Sequence, residues 1–309
     1  GGRSYLGEIA ALISATNTLD HVVAFEGEPS NEGMTTMSAF LATGNAISVD
    51  ALKAARDGCG GRDPCVIVYT SGSTGKPKGA LLHHDGIAAF ALAQNEIWPT
   101  EPHCNINFLP INHIGCVCDI TAPCLVAGGT LHFMEQFDPA AATRMIETEK
   151  LTLWGSVPSV FSMQMATPEY VATDLTSLQL ILWEGASMPG EMIGELLKVG
   201  PPMATNYGMT ESVSGITVLA PTRDLELLTY SVGGAFPGVD IRLTDFEGNE
   251  VADGEAGEVI FKSRYMSLGY WRRPEATADS FTADGYFKSG DLAVRRPDGR
   301  YRVVGRLKE

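Results

Sequence analysis

The sequence predicts an α/β fold: a layered α/β part around a buried, mostly parallel sheet, then a smaller antiparallel part resembling a β-barrel. Three observations carry this. Up to about residue 222, helix-period segments alternate with short strand-like runs. Beyond it, short alternating runs are separated by Glu247-Gly248, Asp253-Gly254, Asp284-Gly285 and Asp298-Gly299, which are hairpin turn pairs. The chain also has 309 residues, 44% hydrophobic and 19% charged, enough for about two domains and unlike a disordered chain or a coiled coil.

Leu6, Ile9, Ala10 and Ile13 recur at helical spacing after Ser4, and His21–Phe25 has strand character. Residues 38–52 read as helix or loop. Cys65–Tyr69 is a continuous apolar run, expected to be a buried strand feeding a turn. A helix over 85–98, a strand over 105–109 and a helix over 115–126 follow, broken by Gly128-Gly129 before a strand over 130–134. The pattern repeats with helices at 139–150, 158–165 and 189–198, each followed by a strand, at 151–154, 178–183 and 203–207 in turn for the sheet. Strands at 239–243, 257–262, 286–287, 292–296 and 301–304 build the antiparallel part.

Lys and Arg total 22 against 37 Asp and Glu, a formal charge of −15. So acidic a chain is repelled by nucleic acid and anionic membranes, and neither is expected as a partner. An anionic ligand must be held by a local device. Cys59, Cys65, Cys104, Cys116, Cys118 and Cys124 form no CxxC pair, which favours reduced core thiols over zinc or disulfides. The low-charge stretches 106–134 and 151–168 are interrupted by Pro, Gly and polar residues, so no membrane span and a cytoplasmic setting are expected.

The most informative stretch is Tyr69-Thr70-Ser71-Gly72-Ser73-Thr74-Gly75-Lys76-Pro77-Lys78-Gly79. Glycines admit backbone N–H groups to phosphate oxygens, hydroxyls add donors, and two lysines neutralise charge. It is not a Walker A loop: Thr70 stands where that motif needs its first glycine, and Pro77 where it needs Ser or Thr. The residues Thr70, Ser71, Gly72, Ser73, Thr74, Gly75, Lys76 and Lys78 are candidate phosphate contacts.

This loop resembles that of the adenylate-forming superfamily: acyl- and aryl-CoA synthetases, peptide synthetase adenylation domains and luciferases. Further motifs follow in the family's order. Asn206-Tyr207-Gly208-Met209-Thr210-Glu211 resembles its Tyr-Gly-x-Thr-Glu motif. The resemblance implies that Tyr207 stacks on adenine, Thr210 donates to the α-phosphate and Glu211 ligates Mg²⁺. Tyr286-Phe287-Lys288-Ser289-Gly290-Asp291 resembles Tyr-x-Thr-Gly-Asp, with Ser289 replacing Thr; Asp291 is implied to hold both ribose hydroxyls, and Arg306 to reach ribose and phosphate. Gly185-Ala186-Ser187 resembles a glycine loop beside the nucleotide. Gly257-Glu258-Val259 and Gly269-Tyr270-Trp271 match a motif expected to support packing.

Pro110-Ile111-Asn112-His113-Ile114-Gly115 resembles the segment in which acyl- and aryl-CoA synthetases carry a wall of the acid pocket. His113 is a pocket candidate or a satisfied core residue. Trp154, Ser156, Trp183, Gly208 and Met209 are further candidates, although periodicity alone favours plain core for Trp154, Ser156, Trp183 and Met209. Peptide synthetase domains usually hold an Asp where Asn112-His113 stands, so an acid without an α-amino group is expected.

The implied reaction activates a small carboxylic acid with ATP, releasing pyrophosphate, and passes the acyl-adenylate to coenzyme A. Thr210, Glu211 and Lys78 are the implied catalytic residues. Loading of a carrier protein, or nucleotide binding without turnover, remain alternatives. The implied plan is a nucleotide- and acid-binding part over 1–225, incomplete on its N-terminal side, a β-rich part over 226–305, and a hinge over 306–309 containing Lys308. A family lid would lie beyond that hinge, so the 309 residues are expected to bind nucleotide better than they turn it over.

Overall fold

A computed structural model describes residues 5–16, 19, 21–27, 33–70 and 76–307. Contacts divide the chain into two compact units, 1–60 and 61–309.

In the first unit, α1 (Leu6–Ala15) precedes β1 (Val22–Ala24), which pairs in parallel with β2 (Met34–Thr36). Two helices follow, α2 (Met37–Thr43) and α3 (Val49–Asp57). Each starts at a hydroxyl cap: Thr36 Oγ1 accepts from Ala39 N–H and Ser48 Oγ from Ala51 N–H, both at 3.1 Å. Residues 38–52 are thus two short capped helices.

The second unit opens on a hairpin, β3 (Pro64–Thr70) against β4 (Lys78–His83), registered Thr70 opposite Lys78. The sequence expectation of a buried strand here is corrected. Within β3 only Val68 is buried, while Ile67 and Tyr69 are 41% and 65% exposed. A two-stranded ribbon leaves one face open, whatever its apolar content. Next come α4 (His84–Ile97) and β5 (Cys104–Asn107). The helix expected over 115–126 divides into a π-helical segment, Gly115–Thr121, and α5 (Ala122–Val126) with Pro123 in its first turn.

Then β6 (Thr130–Phe133) pairs in parallel with β5. The central layer is built from α6 (Pro139–Thr148), β7 (Leu153–Ser156), α7 (Pro158–Met165), α8 (Pro168–Ala172), β8 (Leu180–Trp183), α9 (Gly190–Leu197), β9 (Met203–Gly208), β10 (Gly215–Thr222), α10 (Leu225–Tyr230) and β11 (Gly234–Ala235). Its sheet runs β11-β10-β9-β8-β7, with β7, β8 and β9 parallel and β10 and β11 antiparallel. Every residue of β7 and β8 is buried, as expected of parallel strands covered on both faces. One face packs Trp154, Ile181, Trp183 and Met203 against Ile146, Phe161, Ile193 and Leu196; the other packs Leu153, Leu180, Leu182 and Ala204 against Trp98.

The β-rich part holds β12 (Val239–Thr244), β13 (Ala256–Ser263), α11 (Pro274–Asp279), β14 (Phe287–Arg295) and β15 (Tyr301–Arg306), an antiparallel sheet in the order β12-β13-β14-β15. The barrel expectation is corrected: β12 and β15 do not pair, and four strands are too few to close around packed side chains. The strands expected separately at 286–287 and 292–296 are one strand with a bulge. Glu258 faces Leu292 and Ile260 faces Lys288, so two residues on β13 span four on β14, and Gly290 takes φ +74°. No helix among the described residues is long and apolar enough to cross a membrane. All six cysteines are free thiols, with Cys104, Cys116, Cys118 and Cys124 buried.

Candidate functional site

The bulge in β14 aims its acid. Ser289 Oγ donates to Val259 C=O at 2.6 Å and accepts from Asp291 N–H at 3.0 Å, while Gly290 N–H donates to Glu258 Oε1 at 3.0 Å. The Ser289 hydroxyl therefore anchors the bulge. Asp291, 9% exposed, receives the Tyr207 phenol on Oδ2 at 2.8 Å and the Arg306 Nε on Oδ1 at 3.2 Å. Asp291 and Arg306 are register partners on β14 and β15; Tyr207 comes from β9, 84 residues away from Asp291 in the chain. Burial and the Asp291 anion both hold the Tyr207 phenol above its ordinary pKa, so it stays a donor.

Beyond Tyr207 the chain makes a tight crossing. A Cβ on Gly208 would collide with the Ser214 carbonyl, so only glycine fits. A 3₁₀ turn, Thr210–Ser212, follows, fastened by Met209 N–H to Ser214 C=O at 3.1 Å and closed by Val213 at φ +73°. That is an uncommon, strained conformation for a β-branched residue, held by complete burial of its side chain.

The turn places Glu211 in the interior, 6% exposed, where Tyr270 Oη donates to its Oε1 at 2.6 Å. The Lys78 ammonium lies 4.4 Å from the Tyr270 ring centroid. Backbone pairing fixes this arrangement: Leu81 N–H to Gly269 C=O at 2.9 Å, Trp271 N–H to Gly79 C=O at 2.8 Å, and Ser267 N–H to Glu211 C=O at 2.8 Å. The segment expected only to support packing thus supplies a phenol to the site. Its Gly269-Tyr270 motif was visible in the sequence, but the hydroxyl contact was not.

Thr70 ends β3 and donates to Lys78 C=O at 3.4 Å, so both ends of the hydroxyl-rich bend are paired. Ser71, Gly72, Ser73, Thr74 and Gly75 lie outside the described residues, as does Lys308; Lys76 is exposed. Gly185 follows β8 at φ +80°, with Ala186 and Ser187 exposed beside it. His113 is exposed; its Nδ1 accepts from Gly115 N–H at 3.0 Å. Trp154 and Trp183 lie on β7 and β8, Trp183 in register with Thr205 of β9. Both belong to the main core, and the Trp154 indole N–H donates to Gln164 Oε1 at 3.0 Å. Ser156 Oγ is buried without a partner.

No group of three His, Cys, Asp or Glu side chains among the described residues is disposed to hold a metal. A lone carboxylate, Glu211, with a buried unpartnered hydroxyl on Ser267 next to its carbonyl, suits Mg²⁺ carried in on a triphosphate, because that ion keeps few protein ligands.

Residues 8–271 match the family described as AMP-binding enzyme. The chain is 35% identical over 305 residues to a feruloyl-CoA synthase from Amycolatopsis, covering 94% of this chain and 61% of that protein. It is 32% identical over 290 residues to an indoleacetate–CoA ligase from Aromatoleum aromaticum, covering 93% and 55%. The structure resembles the inhibitor-bound N-terminal domain of FACL13 from Mycobacterium tuberculosis, with TM-score 0.80, 25% identity and 98% and 78% of the two chains covered. It also resembles ATP-bound MatB from Rhodopseudomonas palustris, with TM-score 0.75, 28% identity and 97% and 61% covered. The chain thus spans about three-fifths or less of these curated relatives, and it belongs to the AMP-binding enzyme family.

Proposed function

We propose that this chain is the nucleotide- and acid-binding part of an ATP-dependent carboxylic acid–CoA ligase. A carboxylate oxygen attacks the α-phosphorus of ATP, the bond to the bridging oxygen breaks, and pyrophosphate leaves. In the whole protein the coenzyme A thiol then displaces AMP from the acyl-adenylate to give the thioester. The observation that carries this reading is Asp291 held between Tyr207 and Arg306. That is one buried carboxyl at the meeting of two sheets, and we assign it the two ribose hydroxyls.

The rest follows from charge. Negative charge grows on the α-phosphoryl oxygens and the leaving group, so catalysis is mostly orientation and electrostatic stabilisation. Lys78 and the donors of residues 70–76 take the β- and γ-phosphates, and Thr210 donates to the α-phosphate. Tyr207 offers its ring to adenine, with Gly185–Ser187 and Asn206 at the rim. Glu211 would hold Mg²⁺, which when bound neutralises phosphate charge. His113, Gly208 and Met209 border the acid. We read residues 1–225 and 226–305 as the two functional parts, and 306–309 as the hinge. Free thiols throughout fit the cytoplasm.

Feruloyl, indoleacetate and fatty acyl groups, named for similar proteins, all lack an α-ammonium. The Asn112-His113 segment, without an anion, supports the same class here. ATP–pyrophosphate exchange over aryl, aliphatic and amino acids tests this. Exchange with an aryl or fatty acid, abolished in Asp291→Asn, is expected; exchange with α-amino acids alone would overturn the assignment. AMP titration of the chain gives the same test for the nucleotide half.

A further inference from the structure

Gly155 is a glycine that its own backbone does not require. It stands inside β7, where every residue is buried, and its φ lies outside the left-handed region. A Cβ built on it would meet Leu182 Cβ and C=O at 3.9 Å and Asn105 Nδ2 at 4.0 Å, and nothing closer. Other sheet glycines are unlike it. A Cβ on Gly208 collides with the Ser214 carbonyl, and one on Gly257 comes within 2.9 Å of the Thr244 nitrogen. Glycine weakens a strand and protein interiors leave few gaps, so the unfilled place at Gly155 marks room for something else.

Asn105 faces that room. It lies on β5 and is 1% exposed; its Oδ1 accepts from Ile106 N–H at 2.7 Å, which orients the amide with Nδ2 toward Gly155. Among the described residues that Nδ2 donates no hydrogen bond. A buried N–H without an acceptor is costly, so this donor is matched to an acceptor that arrives with a ligand. The room also lies at the ligand end of the sheet. Gly155 is next to the last residue of β7, and the row Gly155–Leu182–Ala204 crosses β7, β8 and β9. Asn206 follows on the same face of β9, just before Tyr207. Open α/β sheets take ligands at the carboxyl ends of their parallel strands. The rest of this face is apolar, with Leu153, Leu182 and Ala204 packed against Trp98.

We propose that Gly155 and Asn105 are specificity-determining residues: the glycine admits a flat ring of the acid, and Asn105 Nδ2 donates to an oxygen on that ring, which makes the substrate an oxygen-substituted aryl acid. The proposal rests on the ligase reading above. The carboxylate must reach the α-phosphorus beside Tyr207 and Thr210, so the other end of the acid extends back along the sheet toward Gly155. A planar ring fits over a residue without Cβ, apolar neighbours suit it, and a ring oxygen is the acceptor that Asn105 lacks. A straight alkyl chain would leave the amide unpaired.

The probes are para-hydroxycinnamate, cinnamate and octanoate, titrated into the chain with and without AMP. Wild type should bind para-hydroxycinnamate about tenfold more tightly than cinnamate, the worth of one buried hydrogen bond. Asn105→Ala should bring that ratio to about one and leave octanoate within about twofold. Gly155→Ala adds a methyl to open space, so its urea midpoint should match or exceed that of wild type. Both cinnamates should nevertheless bind it about tenfold more weakly, with AMP affinity unchanged. The same preference in wild type and Asn105→Ala, undiminished cinnamate binding by Gly155→Ala, or a lowered midpoint for that variant overturns the proposal. So does a wild-type chain that binds none of the acids. A chain that binds no AMP but keeps the hydroxyl-dependent ratio removes the nucleotide reading and leaves the roles of Gly155 and Asn105 standing.

Discussion

The Tyr270 hydroxyl donates to Glu211 at 2.6 Å while the same ring lies 4.4 Å below the Lys78 ammonium. One aromatic side chain therefore touches both the acid proposed to meet the metal and the lysine proposed to meet phosphate. Its hydroxyl is held above its ordinary pKa by burial and by the Glu211 anion, so it remains a donor across the working pH range.

Tyr270→Phe keeps the ring under Lys78 and removes only the donor. The Glu211 carboxylate then loses a charge-assisted hydrogen bond, a loss of about 1.5 kcal/mol or tenfold. The expected outcome is Mg²⁺-dependent ATP binding weakened by about that factor, with Mg²⁺-free AMP binding unchanged. Equal weakening of both would show that the phenol only supports packing. Tyr270→Leu, which also removes the platform for Lys78, should lower ATP affinity without Mg²⁺ as well.

Asp291→Asn removes a charge that Arg306 pairs with and that the Tyr207 phenol donates to. Arg306 is largely exposed, so its pair contributes little to stability, and the urea midpoint should move only slightly. AMP affinity should fall about tenfold or more, because hydrogen bonds to a charged acceptor are worth about 1.5–3 kcal/mol each. Titration calorimetry with AMP and with deoxyadenosine monophosphates separates the cause: the ribose hydroxyls account for it only where the variant no longer distinguishes the sugars.

What was legible in the sequence is what is local. The Tyr207–Glu211 turn and the Ser289–Asp291 bulge each lie within a few residues of chain, so the sequence alone could place their groups side by side, whereas residues 71–75 of the hydroxyl-rich bend lie outside the described residues. The meeting of Tyr207 with Asp291 was not legible, because it depends on how two sheets pack across 84 residues of chain. Tyr270 escaped for the same reason. The alternating runs after residue 239 specify strands and one buried face, but closure depends on strand number and stagger, which alternation does not encode. Cys65–Tyr69 looked buried because an apolar run says nothing about how many layers cover it.

Gly208→Ala should be among the most damaging single-methyl additions in the chain. The new Cβ meets the Ser214 carbonyl, a backbone atom that cannot rotate away, inside a crossing already fixed by Val213 at φ +73°. A loss of about 2 kcal/mol or more in urea unfolding is expected. Gly290→Ala meets open space and suffers only the left-handed backbone penalty, about 1 kcal/mol. The order of the two variants is the check: a larger loss at Gly290 would contradict the crossing geometry.

Stability itself should carry the mark of Asp119, a buried acid in the π-helical segment. Asp119 takes up its proton at about 6 when folded, against an ordinary value of 3.8, and Glu184 is shifted the same way. Below 3.8 the group is protonated in both states and contributes no pH dependence. Between 3.8 and about 6 the folded state holds a proton that the unfolded chain has released. By linkage, this group's contribution to unfolding free energy falls as pH rises through that window, then levels off. Salt-bridged carboxylates elsewhere pull the other way, so the comparison must be internal. Relative to Asp119→Asn, the wild-type urea midpoint should decline as pH rises from about 4 to about 6. A constant difference across that range would mean that Asp119 titrates as in the unfolded chain, and that the interior around Ser214 is wetter than its burial implies.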